Sequence, residues 1–240
     1  MNTKAFKIPK FCFLVVLLTL VSILAQAQAN GAKRGWLTDF DRQSTHSGAN
    51  GAQYRAAGTF SAAGDFSSST NPNGAWSYGY TTTLGGTFTT YSTSGTTVYS
   101  GEVGWFGPIP GPTAPGFPLV VATLPNPQVL DLGPGPSTYT VARWTAPSKG
   151  RWDVIGQFFG TGVTTADVHV LRNGVALFNS PLNGSDLQGF SLVVQANPGD
   201  TVDFVAGPGA NGDNNGDSTG FRASIGPQPS VMGDTPVRRT

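Results

Sequence analysis

TADVHVLRNGVALF, residues Thr165 to Phe178, sets two apolar runs on either side of Asn173-Gly174. A two-residue type I′ turn needs positive φ at both central positions, which Asn and Gly tolerate. The stretch therefore reads as a β-hairpin. With a plain two-residue turn, Val170 is expected opposite Leu177 and His169 opposite Phe178.

The same period of two recurs outward from this hairpin. Phe190, Leu192 and Val194 share one strand face, Asn197-Pro198-Gly199-Asp200 turns the chain, and Val202, Phe204 and Ala206 line the next strand. Phe221, Ala223 and Ile225 repeat the pattern, with Arg222 and Ser224 facing the other way. Arg151 to Phe159 reads as a strand covered on both faces. Short alternating runs broken every ten residues or so by Gly, Pro and Asn mark a sandwich or barrel, and almost nothing has helical periodicity. The expectation is an all-β, antiparallel β-sandwich, jelly-roll-like, in a single domain.

The amino terminus reads as an address. Lys4, Lys7 and Lys10 precede an apolar run from Phe11 to Ala25, followed by small residues at Ala25, Ala27 and Ala29. That is the pattern of a Sec-type signal peptide, with cleavage expected after Ala27 and, as the second choice, after Ala29. The expected organisation is a signal peptide over 1–27, a loosely ordered segment over 28–54, the sandwich over 55–226 and a disordered tail over 227–240. The apolar run is short for a membrane span, and no second one follows. The expected location is outside the cell or at its surface, with no membrane span in the mature chain.

Cys12, the only cysteine, lies in the leader, so the mature chain is expected to have neither disulfide nor thiol nucleophile. Without Lys4, Lys7 and Lys10 the 14 basic residues fall to 11 against 13 acidic ones, a formal charge of minus 2. Nucleic acid and anionic membrane are bound largely through concentrated positive charge, and no such cluster stands in the sandwich. Neither is expected as a partner.

Asn71-Pro72-Asn73-Gly74 fits a type I turn joining a strand near Phe66 to one beginning at Trp76. Phe106 to Pro118, rich in Gly and Pro, reads as a long surface loop. DFSSSTNPNGAWSYGY (Asp65 to Tyr80), ARWTAPSKGRWDVIGQFFG (Ala142 to Gly160), TADVHVLRNGVALF and PGDTVDFVAGPGANGDNNGDSTGF (Pro198 to Phe221) together carry a resemblance. They resemble a group of uncharacterised secreted bacterial β-sandwich proteins, often with cell-surface sorting signals, whose shape is similar to jelly-roll carbohydrate-binding modules. The resemblance spans roughly residues 60 to 225. It implies a sandwich and, through shape alone, sugar binding. This chain departs from many of that group by lacking a C-terminal apolar sorting segment, which argues against attachment by that route.

Three patterns have an enzymatic look, and each lacks its context. Gly216-Asp217-Ser218-Thr219-Gly220 fits G-x-S-x-G, but a strand follows where a helix is needed, and both histidines, His46 and His169, come earlier. Gly207 to Gly212 fits G-x-G-x-x-G, but no helix N-terminus follows to hold a pyrophosphate. A glycosidase usually needs two opposed carboxyl groups, while Glu102 is the only glutamate and most aspartates sit in turns. Asp213, Asn215 and Asp217 alternate along a loop and form a calcium candidate. The EF-hand pattern is excluded by Ser218 and Ser224 at its Gly and Glu positions, and Asn and Asp also simply cap turns.

His169 reads as a strand residue packed beside Leu171 and Phe178. Arg143 reads as a partly buried cation with an acidic partner. Trp76, Tyr78 and Tyr80 fall on one strand face; most of that row is expected in the core, with its loop-proximal end contributing to recognition. Trp105 and Phe106, beside the expected loop, are the better candidates for an exposed ligand contact. The functional expectation is an exported, non-catalytic binding module for extracellular or cell-surface polysaccharide, with no cofactor beyond a structural Ca²⁺. The alternatives are a structural or adhesive matrix protein and a polysaccharide-active enzyme.

Overall fold

The computed structural model describes residues 46–47, 53–54, 58–98, 100–111, 114–123 and 129–228. The expected signal peptide and all but the first two residues of the expected tail lie outside them. The segment up to Ala56, taken by itself, contributes one antiparallel pairing, β1 (His46–Ser47) with β2 (Gln53–Tyr54).

From Ala57 onward the described residues are all β, with no helix. The strands are β3 (Phe60–Ser61), β4 (Trp76–Thr81), β5 (Thr89–Thr90), β6 (Thr93–Thr96), β7 (Val103–Ile109), β8 (Phe117–Ala122) and β9 (Leu130–Gly133). They continue as β10 (Tyr139–Thr145), β11 (Gly150–Gly160), β12 (Thr164–Arg172), β13 (Val175–Gly184), β14 (Leu187–Ala196), β15 (Thr201–Gly207) and β16 (Thr219–Pro227). One six-stranded sheet has the order β13-β12-β15-β10-β4-β5, and the second, of eight strands, runs β14-β11-β16-β9-β8-β7-β6 with β3 paired to β16. Every pairing is antiparallel, and from β13 onward successive strands alternate between the sheets. The chain is an antiparallel β-sandwich of the jelly-roll kind.

The alternation read in the sequence fills the space between the sheets. Val168 and Val170 of β12, Val202 and Phe204 of β15, and Phe221 and Ile225 of β16 lie in one buried cluster. Rings join the layers: Phe204 lies 5.0 Å from Phe221 and 5.7 Å from Phe190, and Trp144 meets Trp152 edge-on at 5.1 Å. Such contacts add to the apolar burial that holds a disulfide-free sandwich.

Three local expectations are corrected. The Asn173-Gly174 turn forms with φ of 48° and 80°, but a bulge between Val170 and Leu171 shifts the register beyond it. Leu171 pairs with Ala176, while Val170 meets Phe178 and His169 meets Asn179, because Leu177 is the extra residue. Phe106 to Pro118 is not a long loop: β7 and β8 form a hairpin within it, and an irregularity between Phe106 and Ile109 takes up Pro108, which lacks the N–H a ladder needs. No strand runs near Phe66, and the turn before β4 closes two residues late, between Asn73 and Trp76. Asn71 instead acts as a stand-in peptide group. Its Oδ1 accepts from Tyr78 N at 2.9 Å, and its Nδ2 donates to the carbonyls of Tyr78 at 2.8 Å and Tyr91 at 3.1 Å.

Candidate functional site: a polar groove on the six-stranded sheet

The aromatic candidates build the fold. Trp76 and Tyr78 are buried in the main core, and Tyr80 is half-buried against it, stacked on Tyr91 at 5.7 Å. The exposed contact expected at Trp105 and Phe106 does not form. On the β7–β8 hairpin these two rings point to opposite faces, and both faces are covered. Trp105, 6% exposed, enters the main core and donates its Nε1 to the Ser67 carbonyl at 2.7 Å. Phe106, 1% exposed, lies under Ala114, Phe117 and Leu119.

The calcium candidates serve separate partners. Asp213 Oδ1 accepts from Asn215 N at 2.9 Å and so caps its own turn. Asp217 is buried and points to β12, its Oδ1 accepting from Thr165 N at 2.7 Å and Thr165 Oγ1 at 3.0 Å. Among the described residues no three His, Cys, Asp or Glu side chains are grouped to hold a metal ion. Ser218 donates to Asp131 at 2.5 Å, and β16 begins directly after it, so it does not sit on a nucleophile elbow.

A concavity of about 610 Å³ lies on the outer face of β12 and β13, edged by polar side chains. Strand alternation places it there. Ala166, Val168 and Val170 face the core, so Thr165, Asp167 and His169 face out. The bulged register sets Asn183, Pro181 and Asn179 beside them in turn. The stretch after β15, at Gly209 to Asn211, forms a wall. It is tied to β12 by Asn211 Nδ2, which donates to Thr165 Oγ1 at 2.8 Å.

Gly207 lies opposite Asp167 on the other side of β12. A Cβ there would run into the Tyr139 ring and Asp167 Oδ1, so glycine lets the two approach. Tyr139 in turn meets His169 edge-on, centroids 6.3 Å apart.

At the centre, His169 Nε2 donates to Asp167 Oδ2 at 2.6 Å, and His169 Nδ1 stands 2.7 Å from Asn179 Oδ1. With the Asn179 amide in this orientation both partner atoms are acceptors, which a doubly protonated ring serves; a neutral ring would pair with the amide reversed. Burial opposes that charge, but the hydrogen bonds to Asp167 and Asn179 and the negative charge of Asp167 outweigh it, and the His169 pKa is raised. Burial also works against the Asp167 carboxylate. The His169 hydrogen bond, the Gly209 N–H at 2.9 Å and the imidazolium charge nevertheless hold its pKa below the ordinary value.

The sequence reading placed His169 correctly on a strand but missed its polar partners. Two signals were present: Asp167 and His169 are two apart on an alternating strand, and Asn179 sits in the paired strand. Only the bulge brings Asn179 to them. Arg143 meets its expected acidic partner, Asp203, through two bonds of 2.6 and 2.8 Å, and its guanidinium lies 4.0 Å from the centre of the Phe88 ring.

Fold and groove together define a β-sandwich with an open groove, edged by polar side chains, on one outer face. No protein family matches the chain, and no curated protein matches it. Among solved structures it is similar to several carbohydrate-binding modules. One is the CBM51 from Clostridium perfringens GH95, solved with methyl-galactose: identity 13%, TM-score 0.33, covering 56% of this chain and 93% of that one. A second is the CBM36-1 domain of a multidomain xylanase from the hindgut metagenome of Trinervitermes trinervoides: identity 14%, TM-score 0.31, covering 64% and 98%. A third is a family 35 carbohydrate-binding module from Clostridium thermocellum: identity 18%, TM-score 0.26, covering 37% and 68%. At these scores the likeness assigns no function to this chain.

Proposed function

We propose that the chain is an exported, non-catalytic carbohydrate-binding protein whose polysaccharide ligand lies in the groove of β12 and β13. The observation that carries this reading is the convergence of Thr165, Asn179, Asn183 and Asn211 around the Asp167–His169 pair in one open concavity. Planar amides and hydroxyls offer donors and acceptors side by side, matching the paired hydroxyls of a sugar ring. Export rests on the leader pattern of the first 27 residues.

The non-catalytic part of this reading is supported by how the groove's ionisable groups are engaged. Both His169 nitrogens and both Asp167 oxygens are held by protein partners, so neither group is turned toward a ligand as a general acid or base. Among the described residues no second carboxyl group lines the groove to oppose Asp167, as glycosidic cleavage usually demands.

The test is retention of the mature chain on insoluble and arrayed polysaccharides. Asn183→Ala is expected to weaken retention while leaving the melting temperature within a degree or two, since its side chain is on the surface. Absence of retention across a broad panel sinks the reading. Release of reducing ends or unsaturated products would instead make the protein an enzyme.

A further inference from the structure

The groove's charges cancel inside it. Among the described residues, Asp167 and His169 are the only side chains lining it that ionise near neutral pH, and they face each other at 2.6 Å. Among the same residues no lysine or arginine lines it. The two arginines on neighbouring positions of the same sheet are engaged elsewhere, Arg143 with Asp203 and Arg172 with Asp200 at 3.2 Å. The nearest further ionisable side chain bonded to a lining residue is also an acid, Asp217, which accepts from Thr165. A uronate or sulfate ester entering the groove would lose water without gaining a cationic partner, and that loss is costly.

The neutral groups are also oriented. Asn179 Oδ1 is taken by His169 Nδ1, which leaves the two Nδ2 hydrogens of Asn179 as donors. Asn211 commits its Nδ2 to Thr165 and keeps Oδ1 as an acceptor. We infer that the groove selects uncharged sugar units, a sugar oxygen accepting from Asn179 Nδ2, and that the protonated His169 ring is the positioning residue that keeps this amide donor-outward. This rests on the carbohydrate reading above and specifies its ligand class.

Losing the Nδ1 proton would turn that nitrogen into an acceptor. The Asn179 amide would then be drawn round to give Nδ2 to the ring, presenting Oδ1 in its place. The groove would change from donor to acceptor at that point. The groups facing His169 are Asp167 on its own strand, Asn179 on β13, Val205 on β15 and the Tyr139 ring on β10. Of these only Asp167 carries charge near neutral pH, and it stays ionised throughout the range in which the histidine titrates.

The experiment compares retention of the mature chain on neutral polysaccharides (xylan, mannan, β-glucan, galactan) and acidic ones (polygalacturonate, alginate, hyaluronan) from about pH 5.5 to about pH 9, spanning the ordinary histidine pKa. Expected is retention by a neutral polymer, falling roughly tenfold as His169 loses its proton, the effect of one misdirected hydrogen bond. Asn179→Asp keeps the side chain's size but removes the outward donor, and should abolish the pH step along with most of the binding.

Retention by an acidic polymer that is weakened by Asn183→Ala overturns the inference and leaves the carbohydrate reading standing. Neutral retention that is flat with pH, or unchanged in Asn179→Asp, overturns the role given to His169. No retention on either set removes the carbohydrate reading itself.

Discussion

His169 and Asp167, two positions apart on the outward face of β12, are joined by a hydrogen bond of 2.6 Å that becomes an ion pair when the ring is protonated, with side chains 9% and 29% exposed. The pair links groove geometry to proton binding. Because the folded-state pKa of His169 is raised, its contribution to stability is complete below the unfolded value of about 6.5 and is lost as pH rises through the folded value. The lowered Asp167 pKa works at the other end: its contribution is present above about 3.9 and lost as pH falls through the folded value. A titration of the His169 ring by NMR should find its midpoint above the ordinary value, and Asp167→Asn should bring it down. A midpoint at or below that of free histidine, with Asp167 intact, would exclude the paired imidazolium.

Asp131 is a second titrating group, outside the groove. Removal from water is the main influence that raises its carboxyl to a pKa of about 6, opposed by Ser218 and Thr219 donors and aided by the charge of Glu102. Its sign is the reverse of Asp167. The folded state binds this proton more tightly, so stability falls as pH rises from the ordinary carboxyl value to about 6. Asp131→Asn should stabilise the protein at pH 7.5 by on the order of 2 kcal/mol and flatten the pH dependence below that, as read by denaturant unfolding. A variant less stable at pH 7.5 than at pH 4 by the same margin as the parent would contradict this.

Trp105 belongs to the core, and its removal should act there. Trp105→Ala leaves a large void, withdraws the indole donor from the Ser67 carbonyl and should cost about 3 to 5 kcal/mol. Urea unfolding would measure it. A variant of undiminished stability that loses only ligand retention would return Trp105 to the surface.

Asn71 takes the place of a strand neighbour at the middle of β4. Asn71→Ala would leave Tyr78 N and the Tyr78 and Tyr91 carbonyls without this partner, at a cost of about 2 to 3 kcal/mol. Asn71→Asp keeps the acceptor but turns the other oxygen toward two carbonyls. It should therefore remain well below the parent in melting temperature, with some recovery as pH falls and the carboxyl gains a proton.

The architecture was legible because alternation with a period of two forces one face of each strand inward, and Phe190, Val202, Phe204, Phe221 and Ile225 all lie where that rule puts them. Asn173-Gly174 was legible for an equally local reason, the positive φ both positions adopt. Arg143 found its acid because a partly buried cation needs one. The groove was not legible, since it draws on β12, β13 and a wall beyond β15 that only the sheet order brings together. Composition also misled at Phe106 to Pro118. Gly and Pro there mark a distorted hairpin, whose far side, at Ala114, Phe117 and Leu119, packs on Phe106.

The bulge at Val170 and Leu171 carries a further meaning for how such a surface arises. Were Leu177 to pair with Val170 instead of bulging out, Phe178 would stand beside His169, and Asn179 would turn inward. Whether one residue bulges or pairs in an edge hairpin thus decides between a greasy wall and an amide. The pocket's chemistry hangs on that single backbone irregularity.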